Sequence, residues 1–292
     1  MVEKKTIGDY AFSIINGIIM VLLMIITAYP MYYVVIASIT EPAEVMANTG
    51  VMLLPGKISF TSYKLLLEYP MMFVSYKNTF IYVIVGTAIS LTLTTLGGYS
   101  LSRTEVPGVK QIMMLVTFTM FFSGGLIPKY LLVQNLNLLD TIWAIVLPGA
   151  LSTMNMIIMR TSFMGIPKSL EESARLDGAG DFRILWSIML PLSTAILAVM
   201  TLFYAVGYWN DFFNPMIYLK TRNKFPLQLL LREILVSNST DELTAGVGDD
   251  KSLISQVIKY STIVVSTVPI LCVYPFLQKF FTKGVMIGAV KG

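Results

Sequence analysis

The chain has 292 residues, of which 55% are hydrophobic and only 13% are charged, and its net charge is +4. An average soluble domain is about 25% charged, so this composition all but excludes a soluble globular protein. It also excludes a disordered chain, which would need less apolar material. Histidine is absent and cysteine occurs once, which excludes a histidine-assisted nucleophile, a His/Cys zinc site and an intrachain disulfide. The composition indicates a polytopic membrane protein.

Six apolar stretches approach the roughly 20 residues that a helix needs to cross a bilayer core. None of the stretches contains an internal Asp, Glu, Lys or Arg, which suits helices embedded in lipid. The predicted spans are residues 11–39, 78–101, 111–127, 141–159, 184–208 and 259–278. The sequence therefore predicts an all-α membrane protein, with residues 1–292 forming a single transmembrane domain.

The basic residues predict that both termini lie in the cytoplasm. Lys4 and Lys5 precede the first span, whose apolar run exceeds the roughly 7–15 residues of a signal-peptide core, so we expect an uncleaved helix. Lys and Arg are denser in the segments that this orientation places inside. The two long outer loops are then residues 40–77 and 209–258, and the large inner loop, residues 160–183, is the most charged part of the chain.

The predicted spans lack the ionisable residues that are typical of ion-coupled transporters and voltage sensors. Ion-coupled transporters commonly keep acids or histidines within their helices, and voltage sensors carry an arginine ladder. The segment from Gly50 to Lys57 approaches a phosphate-binding loop, but its spacing is one residue too long, and Ile58 stands where Ser or Thr should bind magnesium. We therefore expect no nucleotide cofactor in this chain, and the energy for any pumping must come from elsewhere.

A short helix is predicted in the inner loop, at about residues 169–180. Ser169 and Glu172 have the spacing of a capping box at its start, and Gly178 and Gly180 offer a left-handed cap at its end. This helix is too short and too polar to span, so we expect it to lie along the cytoplasmic face. Pro191, just beyond it, predicts a kink near the inner end of the fifth span.

The same loop contains Glu172-Ser173-Ala174, then Gly178 after three residues, and Ile188-Met189-Leu190-Pro191 after nine more. This pattern resembles the "EAA" signature of bacterial ABC importer permeases, which is Glu-Ala-Ala, three residues, Gly, nine residues and Ile-x-Leu-Pro, and Ser173 is the one departure. The whole chain resembles the shorter partner of the maltose-type, oligosaccharide-importing pair. The glycine-rich end at residues 283–292, the Trp209-Asn210-Asp211 segment and the Phe225-Pro226-Leu227 segment also look like that branch.

The resemblance implies that the short helix is a coupling helix, which docks on a separate ATPase. The residues it assigns to this coupling are Glu172, Ser173, Ala174, Asp177, Gly178 and Pro191. It also implies a bacterial inner-membrane location, a homologous permease as partner in a heterodimer, an ATPase dimer and an extracytoplasmic solute-binding protein, whose sugar cleft the loop at 238–250 would probe. ATP and magnesium would bind the ATPase, so this chain would hold no cofactor or metal and would not be an enzyme.

The substrate path is less well marked. The candidates are polar and aromatic side chains in or near the spans: Tyr99, Asn155, Tyr204, Trp209, Asn210 and Asp211. As alternatives, such aromatic residues belong to interfacial belts, Glu172 only caps its own helix, Gly178 is a plain helix cap, and Arg175 and Asp177 are solvated charges. We expect small residues in the second span, Gly86, Ser90, Gly97 and Gly98, to permit close helix approach. Two other functions stay open, an importer of the same type for a non-sugar solute and a membrane scaffold or enzyme with a docking helix.

Overall fold

The computed structural model describes residues 7–48, 50–236 and 251–289, and it describes side chains in the last segment for residues 253–272. Within these residues the chain is helical, and the only extended pairing is an isolated antiparallel bridge between Thr40 and Ile58. The all-α prediction is thus confirmed for the part of the chain that the structure describes. The predicted probing loop at 238–250 and residues 290–292 lie outside the described residues.

The chain divides into two compact units, of which the first comprises residues 1–69 and 233–267. Its helices are α1 (Ile7–Ser38), α2 (Pro42–Ala47), α3 (Thr61–Glu68) and the first part of the last helix (Lys251–Ala289). Residues 8–28 of α1 are exposed on every face although they are almost entirely apolar, which is the pattern of a helix surrounded by lipid. Only the far end of α1 is packed, where Ile36 and Ala37 join a cluster with Val45, Met52 and Val257.

The second unit comprises residues 70–232 and 268–292. Its helices are α4 (Pro70–Ser102), α5 (Val109–Phe121), α6 (Leu126–Asn135), α7 (Ile142–Val146), α8 (Thr153–Met164), α9 (Lys168–Leu176), α10 (Asp181–Ile184), α11 (Leu190–Leu192), α12 (Thr194–Asn210), α13 (Phe213–Tyr218) and most of α14 (Leu227–Leu235), and the last helix, shared with the first unit, is α15. A π-helical turn at Leu185–Met189 joins α10 to α11.

Helix α4 is the centre of the second unit and packs against α8 and α12. A Cβ atom at Gly86 would lie 2.6 Å from the ring of Tyr208 on α12, and one at Gly98 would lie 2.9 Å from the Met159 side chain on α8. Ser90 adds a hydrogen bond to the Tyr208 hydroxyl at 3.0 Å. The expectation that small residues here permit close helix approach is confirmed, because larger side chains would collide with the neighbouring helices.

Three helical segments are long and apolar enough to cross a bilayer, namely Gly8–Ser38, Pro70–Ser102 and Leu253–Cys272. Two bent pairs raise the number of candidate spans to five if each pair crosses once. Helices α5 and α6 form the first pair, with a bend of 111°. The fourth predicted span, residues 141–159, is divided instead into α7 and α8, with Pro148 and Gly149 between them. The chain is thus a membrane protein with three to five candidate spans among its described residues, and the number six stays a prediction.

The second bent pair lies where Pro191 predicts a kink. Helical residues 181–192 and α12 meet at Ser193 with a bend of 85°. A proline cannot donate the backbone hydrogen bond that would continue the preceding turn, and π-helical turns are a further common cause of kinks. The kink is confirmed, and it is large enough to turn the chain almost through a right angle.

Candidate functional site

Helix α9 begins one residue earlier than predicted, and its start is built differently. Pro167 occupies the N-cap position, its carbonyl accepts a hydrogen bond from the Leu170 N–H at 3.2 Å, and no side chain caps the helix. The predicted capping box is therefore wrong, because Ser169 lies inside the first turn rather than in front of it. The proline, with its fixed φ of −58°, sets the direction in which the chain enters the helix.

The end of α9 is a Schellman motif, which confirms a left-handed residue at Gly178. Its φ is +80°, its N–H donates to the Arg175 carbonyl at 3.0 Å, and the Ala179 N–H donates to the Ala174 carbonyl at 2.9 Å. Nothing lies within 4 Å of a Cβ atom built on Gly178, so the backbone angle alone requires glycine there. Gly180 is not part of this cap, since its φ is −78° and it precedes α10.

The two faces of α9 have different surroundings. Glu171 is buried and Ala174 is half-buried against the apolar cluster around Met159, whereas Glu172 and Ser173 are exposed. Leu176 is 90% exposed although it is apolar. Glu172 does not cap its own helix, and it has no hydrogen bond or ion pair among the described residues. The exposed face thus presents a carboxylate and a leucine that are open to a partner.

A buried ion pair, which sequence analysis did not predict, joins α9 to the end of α4. Arg103, directly after α4, pairs with Glu171, and the two side chains are only 11% and 12% exposed. The guanidinium also lies over the Tyr99 ring, 4.2 Å from its centroid. Its Nε and Nη2 atoms are buried and have no hydrogen-bond acceptor among the described residues. We call the Arg103–Glu171 pair the α9 anchor.

Other charges around α9 lie at the surface. Lys168 and Glu105 form an ion pair of 3.5 Å between side chains that are 71% and 58% exposed. A hydrogen bond from its own backbone, followed by the nearby Lys168 ammonium, holds the pKa of Glu105 below its usual value. Arg175 is exposed as expected but pairs with Asp181, and Asp177 is an exposed residue at the end of the helix.

A cavity of about 850 Å³ lies between α9 and the adjacent end of α4. Its walls include Leu96, Tyr99, Arg103, Lys168, Glu171 and Phe182. Tyr99, predicted for the substrate path, is therefore found beside α9, where its hydroxyl donates to the Asp181 carbonyl at 3.2 Å and its ring contacts Phe163 edge-on.

Tyr204, a second predicted path residue, and Tyr208 form hydrogen bonds with backbone groups on either side of the break between α7 and α8. The Tyr204 hydroxyl accepts a hydrogen bond from the Ser152 N–H at 3.2 Å and lies 2.5 Å from the Thr94 hydroxyl. The Tyr208 hydroxyl donates to the Val146 carbonyl at 3.2 Å. A broken helix at membrane depth needs such partners for its freed backbone groups. Half-buried Asn155, one turn into α8, has a side-chain amide with no hydrogen bond among the described residues.

The remaining path candidates lie at the end of α12. Trp209 is 7% exposed and packs edge-on against Phe80 on α4, whereas Asn210 is exposed. Asp211 accepts hydrogen bonds from the Asn214 N–H at 3.1 Å and from its side-chain amide at 2.8 Å. The structure thus distributes the six candidates over three places, the end of α4 beside α9, the helix break and the end of α12.

The opposite end of α4 is fixed to the segment between α13 and α14. Asn78 donates to the Asn223 and Phe225 carbonyls at 2.8 and 3.1 Å, and the Thr79 hydroxyl accepts the Leu227 N–H at 2.8 Å. The Tyr82 hydroxyl donates to the Lys224 carbonyl at 2.7 Å. We call these contacts of Asn78, Thr79 and Tyr82 the loop anchor. The Phe225-Pro226-Leu227 segment was the sequence signal that could have pointed to it.

Asp140 supports the same segment from the turn before α7. Its carboxylate accepts the N–H groups of Lys220 and Thr221, both at 3.0 Å, the Thr221 hydroxyl at 2.6 Å and the Lys224 ammonium at 2.7 Å. Partial burial raises the pKa of Asp140, but the hydrogen bonds from Lys224 and Thr221 outweigh it and hold the pKa well below its usual value.

Comparisons with known proteins place this geometry among transport proteins. No family model matches the chain. It is 40% identical over 284 residues to the polygalacturonan/rhamnogalacturonan transport system permease protein YtcP of Bacillus subtilis strain 168, which covers 97% of this chain and 96% of that protein. A solved bacterial ABC transporter involved in the import of the acidic polysaccharide alginate contains a chain that is 34% identical, with a TM-score of 0.91 over 96% of this chain and 100% of that one.

A second solved chain shares the fold at 14% identity. It comes from a bacterial alginate ABC transporter in complex with an alginate pentasaccharide-bound periplasmic protein. Its TM-score is 0.58, with 87% of this chain and 93% of that chain covered.

Proposed function

Since the chain belongs to the permease subunits of bacterial ABC oligosaccharide importers, we propose that its cargo is an acidic oligosaccharide. A permease subunit of this kind is an integral membrane protein rather than an enzyme. Polygalacturonan, rhamnogalacturonan and alginate, which appear in the names of its relatives, all carry carboxylates. The substrate class shared by the two relatives is the observation that carries the proposal.

The charge at the loop-anchor end of the second unit supports this substrate class. The basic residues there include Lys77, Lys129 and Lys220, besides Lys224, which pairs with Asp140. The nearby acids Asp140 and Asp211 already accept hydrogen bonds from the chain itself. A surplus of positive charge raises the local concentration of an anionic substrate before it enters.

The coupling role of α9 is supported by its rigid end and its exposed face. Glu172, Ser173 and Leu176 would contact a separate ATPase, while Ala174 and Asp177 shape the helix and Gly178 ends it in a fixed direction. Pro191 would direct the following helix back into the membrane. ATP and magnesium would bind only the ATPase subunits. In the proposed arrangement, α9 and both chain termini lie on the cytoplasmic side of a six-span subunit.

The proposed assembly pairs this chain with a homologous permease and two ATPase subunits. A solute-binding protein would deliver the oligosaccharide at the loop-anchor end, in the manner that the 14%-identical importer's periplasmic complex suggests. ATP binding would close the ATPase dimer, move α9 and open the path outward, and hydrolysis would reset it. Asn155 is the path candidate whose amide remains available to a sugar hydroxyl.

The test is reconstitution of the complete assembly in liposomes. Galacturonate oligomers and uncharged glucose oligomers of the same length would be supplied with the solute-binding protein, and uptake and ATP hydrolysis would be measured. We expect both activities to rise with the acidic oligomer only. Equal or greater stimulation by the neutral oligomer would overturn the proposed substrate class.

A coupling control belongs to the same experiment. Glu172→Ala and Gly178→Asp should both reduce substrate-stimulated hydrolysis, since one removes the exposed carboxylate and the other strains the helix cap. If both variants kept full stimulation, α9 would not be the coupling helix. If the wild-type assembly showed no substrate-dependent hydrolysis, a scaffold or enzyme with a docking helix would be the better description.

A further inference from the structure

Helix α4 is held at two places that lie far apart along its length. Between Asn78 and Tyr99 the helix rises by about 30 Å at 1.5 Å per residue, which is close to the thickness of a bilayer core. The α9 anchor lies beyond one end of this stretch and the loop anchor lies at the other. Both belong to the second compact unit. One helix therefore connects α9 with the segment between α13 and α14.

The contacts that α4 makes near α9 differ in which helix they join to α4. The Arg160 Nε donates to the Leu101 carbonyl at 2.7 Å, and the Tyr99 hydroxyl donates to the Asp181 carbonyl at 3.2 Å. These two bonds join α4 to α8, which precedes α9, and to α10, which follows it. Among the described residues, the α9 anchor is the buried ion pair that reaches α9 itself, because Glu171 is the buried charged residue of that helix, and Ala174 adds apolar packing beside it.

The α9 anchor cannot easily be replaced by another contact. Two largely buried charges stabilise each other, and removal of one leaves the other uncompensated in a poorly solvated place. The Nε and Nη2 atoms of Arg103 lack hydrogen-bond acceptors among the described residues, and the nearby carboxylate of Glu105 is exposed and pairs with Lys168. Movement of α9 away from α4 would therefore separate these charges, whereas movement of the two helices together would not.

We infer that Arg103 and Glu171 are positioning residues that join the coupling helix to α4, so that α4 carries movements of α9 to the loop-anchor end. The inference rests on the proposed coupling function of α9. The pair passes a displacement from the ATPase side to the side where cargo is delivered, and the loop anchor receives it there.

The exposed Lys168–Glu105 pair provides a matched control, since it joins the same two segments. Its side chains are 71% and 58% exposed, and exposed ion pairs contribute little because solvent screens them. Glu105→Gln should therefore leave coupling unchanged. A large effect of this variant would show that charge in the loop, rather than the buried joint, matters.

The first experiment compares Arg103→Gln, Glu171→Gln and the charge exchange Arg103→Glu with Glu171→Arg in the complete reconstituted assembly. The readout is the ratio of substrate-stimulated to basal ATP hydrolysis, with assembly checked by copurification. We expect each single variant to lower the ratio by roughly tenfold. The charge exchange should recover part of it. Full stimulation in both single variants, or an exchange no better than either of them, would overturn the inference.

The second experiment observes the far end of α4 directly. A spin label at Asn223→Cys, in a Cys272→Ser background, reports on the segment whose carbonyls, rather than the Asn223 side chain, bind Asn78. ATP should change the mobility of the label in the wild-type assembly, and Glu171→Gln should abolish that change although ATP still binds. An undiminished change in Glu171→Gln would overturn the inference.

The two proposals fail in different ways. If the wild-type assembly lacks substrate-stimulated hydrolysis, the proposed function fails. If the wild type and Glu105→Gln are stimulated, Glu172→Ala is not, and Glu171→Gln behaves as the wild type, then α9 is the coupling helix but the α9 anchor is not its joint to α4.

Discussion

The two anchors of α4 differ in the kind of contact they use. At the α9 anchor, the paired side chains of Arg103 and Glu171 are only 11% and 12% exposed. At the loop anchor, neutral side chains bind backbone groups one by one, and Asp140 adds an ion pair that is partly open to water. The buried pair is lost as a whole when one partner is removed, at about 3–5 kcal/mol. Each neutral hydrogen bond contributes about 1 kcal/mol and is lost alone.

The kind of contact at each anchor suits the position of that anchor on α4. The α9 anchor and the packing of Ala174 hold one face of α9, and the opposite face stays open to a partner. Several weaker contacts spread over residues 223–227 hold a whole segment in place. One substitution should therefore disable the α9 anchor, whereas the loop anchor should weaken in steps.

The largest expected effect comes from breaking the buried pair. Glu171→Gln should lower the free energy of unfolding by about 3–5 kcal/mol, because the Arg103 charge is then uncompensated. Glu105→Gln, at the exposed pair, should lower it by less than about 1 kcal/mol. Thermal unfolding of the purified subunit in detergent measures both. Similar losses for the two variants would contradict the contrast between buried and exposed contacts.

Asp140→Asn tests the ionic part of the opposite end. Hydrogen bonds to a charged acceptor contribute about 1.5–3 kcal/mol, so we expect a loss of about 2 kcal/mol at neutral pH. Because the pKa of Asp140 is lower in the folded chain than in the unfolded one, this stability is present above the usual aspartate pKa and is lost as pH falls through the folded value.

The pH dependence distinguishes this contribution from simple packing. The stability difference between wild type and Asp140→Asn should stay constant from neutral pH to about 5 and shrink only below that. A difference that disappears between pH 7 and 5 would mean that Asp140 is not held in its ionised form.

Thr79→Val tests one neutral contact of the loop anchor. The substitution keeps the shape of the side chain but removes the hydroxyl that accepts the Leu227 N–H at 2.8 Å. We expect a loss of about 1–2 kcal/mol, since a buried donor is left unsatisfied. Thermal unfolding provides the measurement, and ATP-stimulated transport should be nearly retained. A loss of transport as large as that of Glu171→Gln would show that the two anchors are equally sensitive.

The smallest effect is expected at the end of α9. Gly178→Ala should lower stability by about 1 kcal/mol, because alanine resists a φ of +80° although there is room for its methyl group. Gly180 has a negative φ, which alanine also adopts. Gly180→Ala is therefore the matched control and should be close to neutral. Both can be measured by thermal unfolding.

Local signals in the sequence predicted local structure well. The glycine at 178 predicted the left-handed end of α9, and Pro191 predicted the bend that the structure places at Ser193, since both residues act through their own backbone angles. The start of α9 was predicted wrongly because Pro167 took the cap position that the Ser169–Glu172 spacing suggested for a side chain. Residue spacing alone does not show whether the helix begins at Pro167 or at a side-chain cap from Ser169.

Contacts between distant segments were beyond the reach of the sequence. No sequence feature near Arg103 indicates that it pairs with Glu171. The family signature includes Glu172, the residue next to Glu171, and so pointed to the wrong neighbour for this contact. Tyr204 has the appearance of a sugar-binding aromatic residue, but its hydroxyl is used by the backbone of Ser152. The need for that hydroxyl arises only once α7 and α8 separate, which depends on packing around Pro148 and Gly149.

The two tyrosines of α12 also determine which parts of the subunit can slide past one another. If α12 moved away from the α7–α8 break, the Val146 carbonyl and the Ser152 N–H would face hydrocarbon without partners, at several kcal/mol for the pair. Separation from α4 would also expose the hydroxyls of Ser90 and Thr94. These contacts favour movement of α4, α12 and the α7–α8 segment as one rigid block, with any sliding surface of the proposed transport cycle elsewhere.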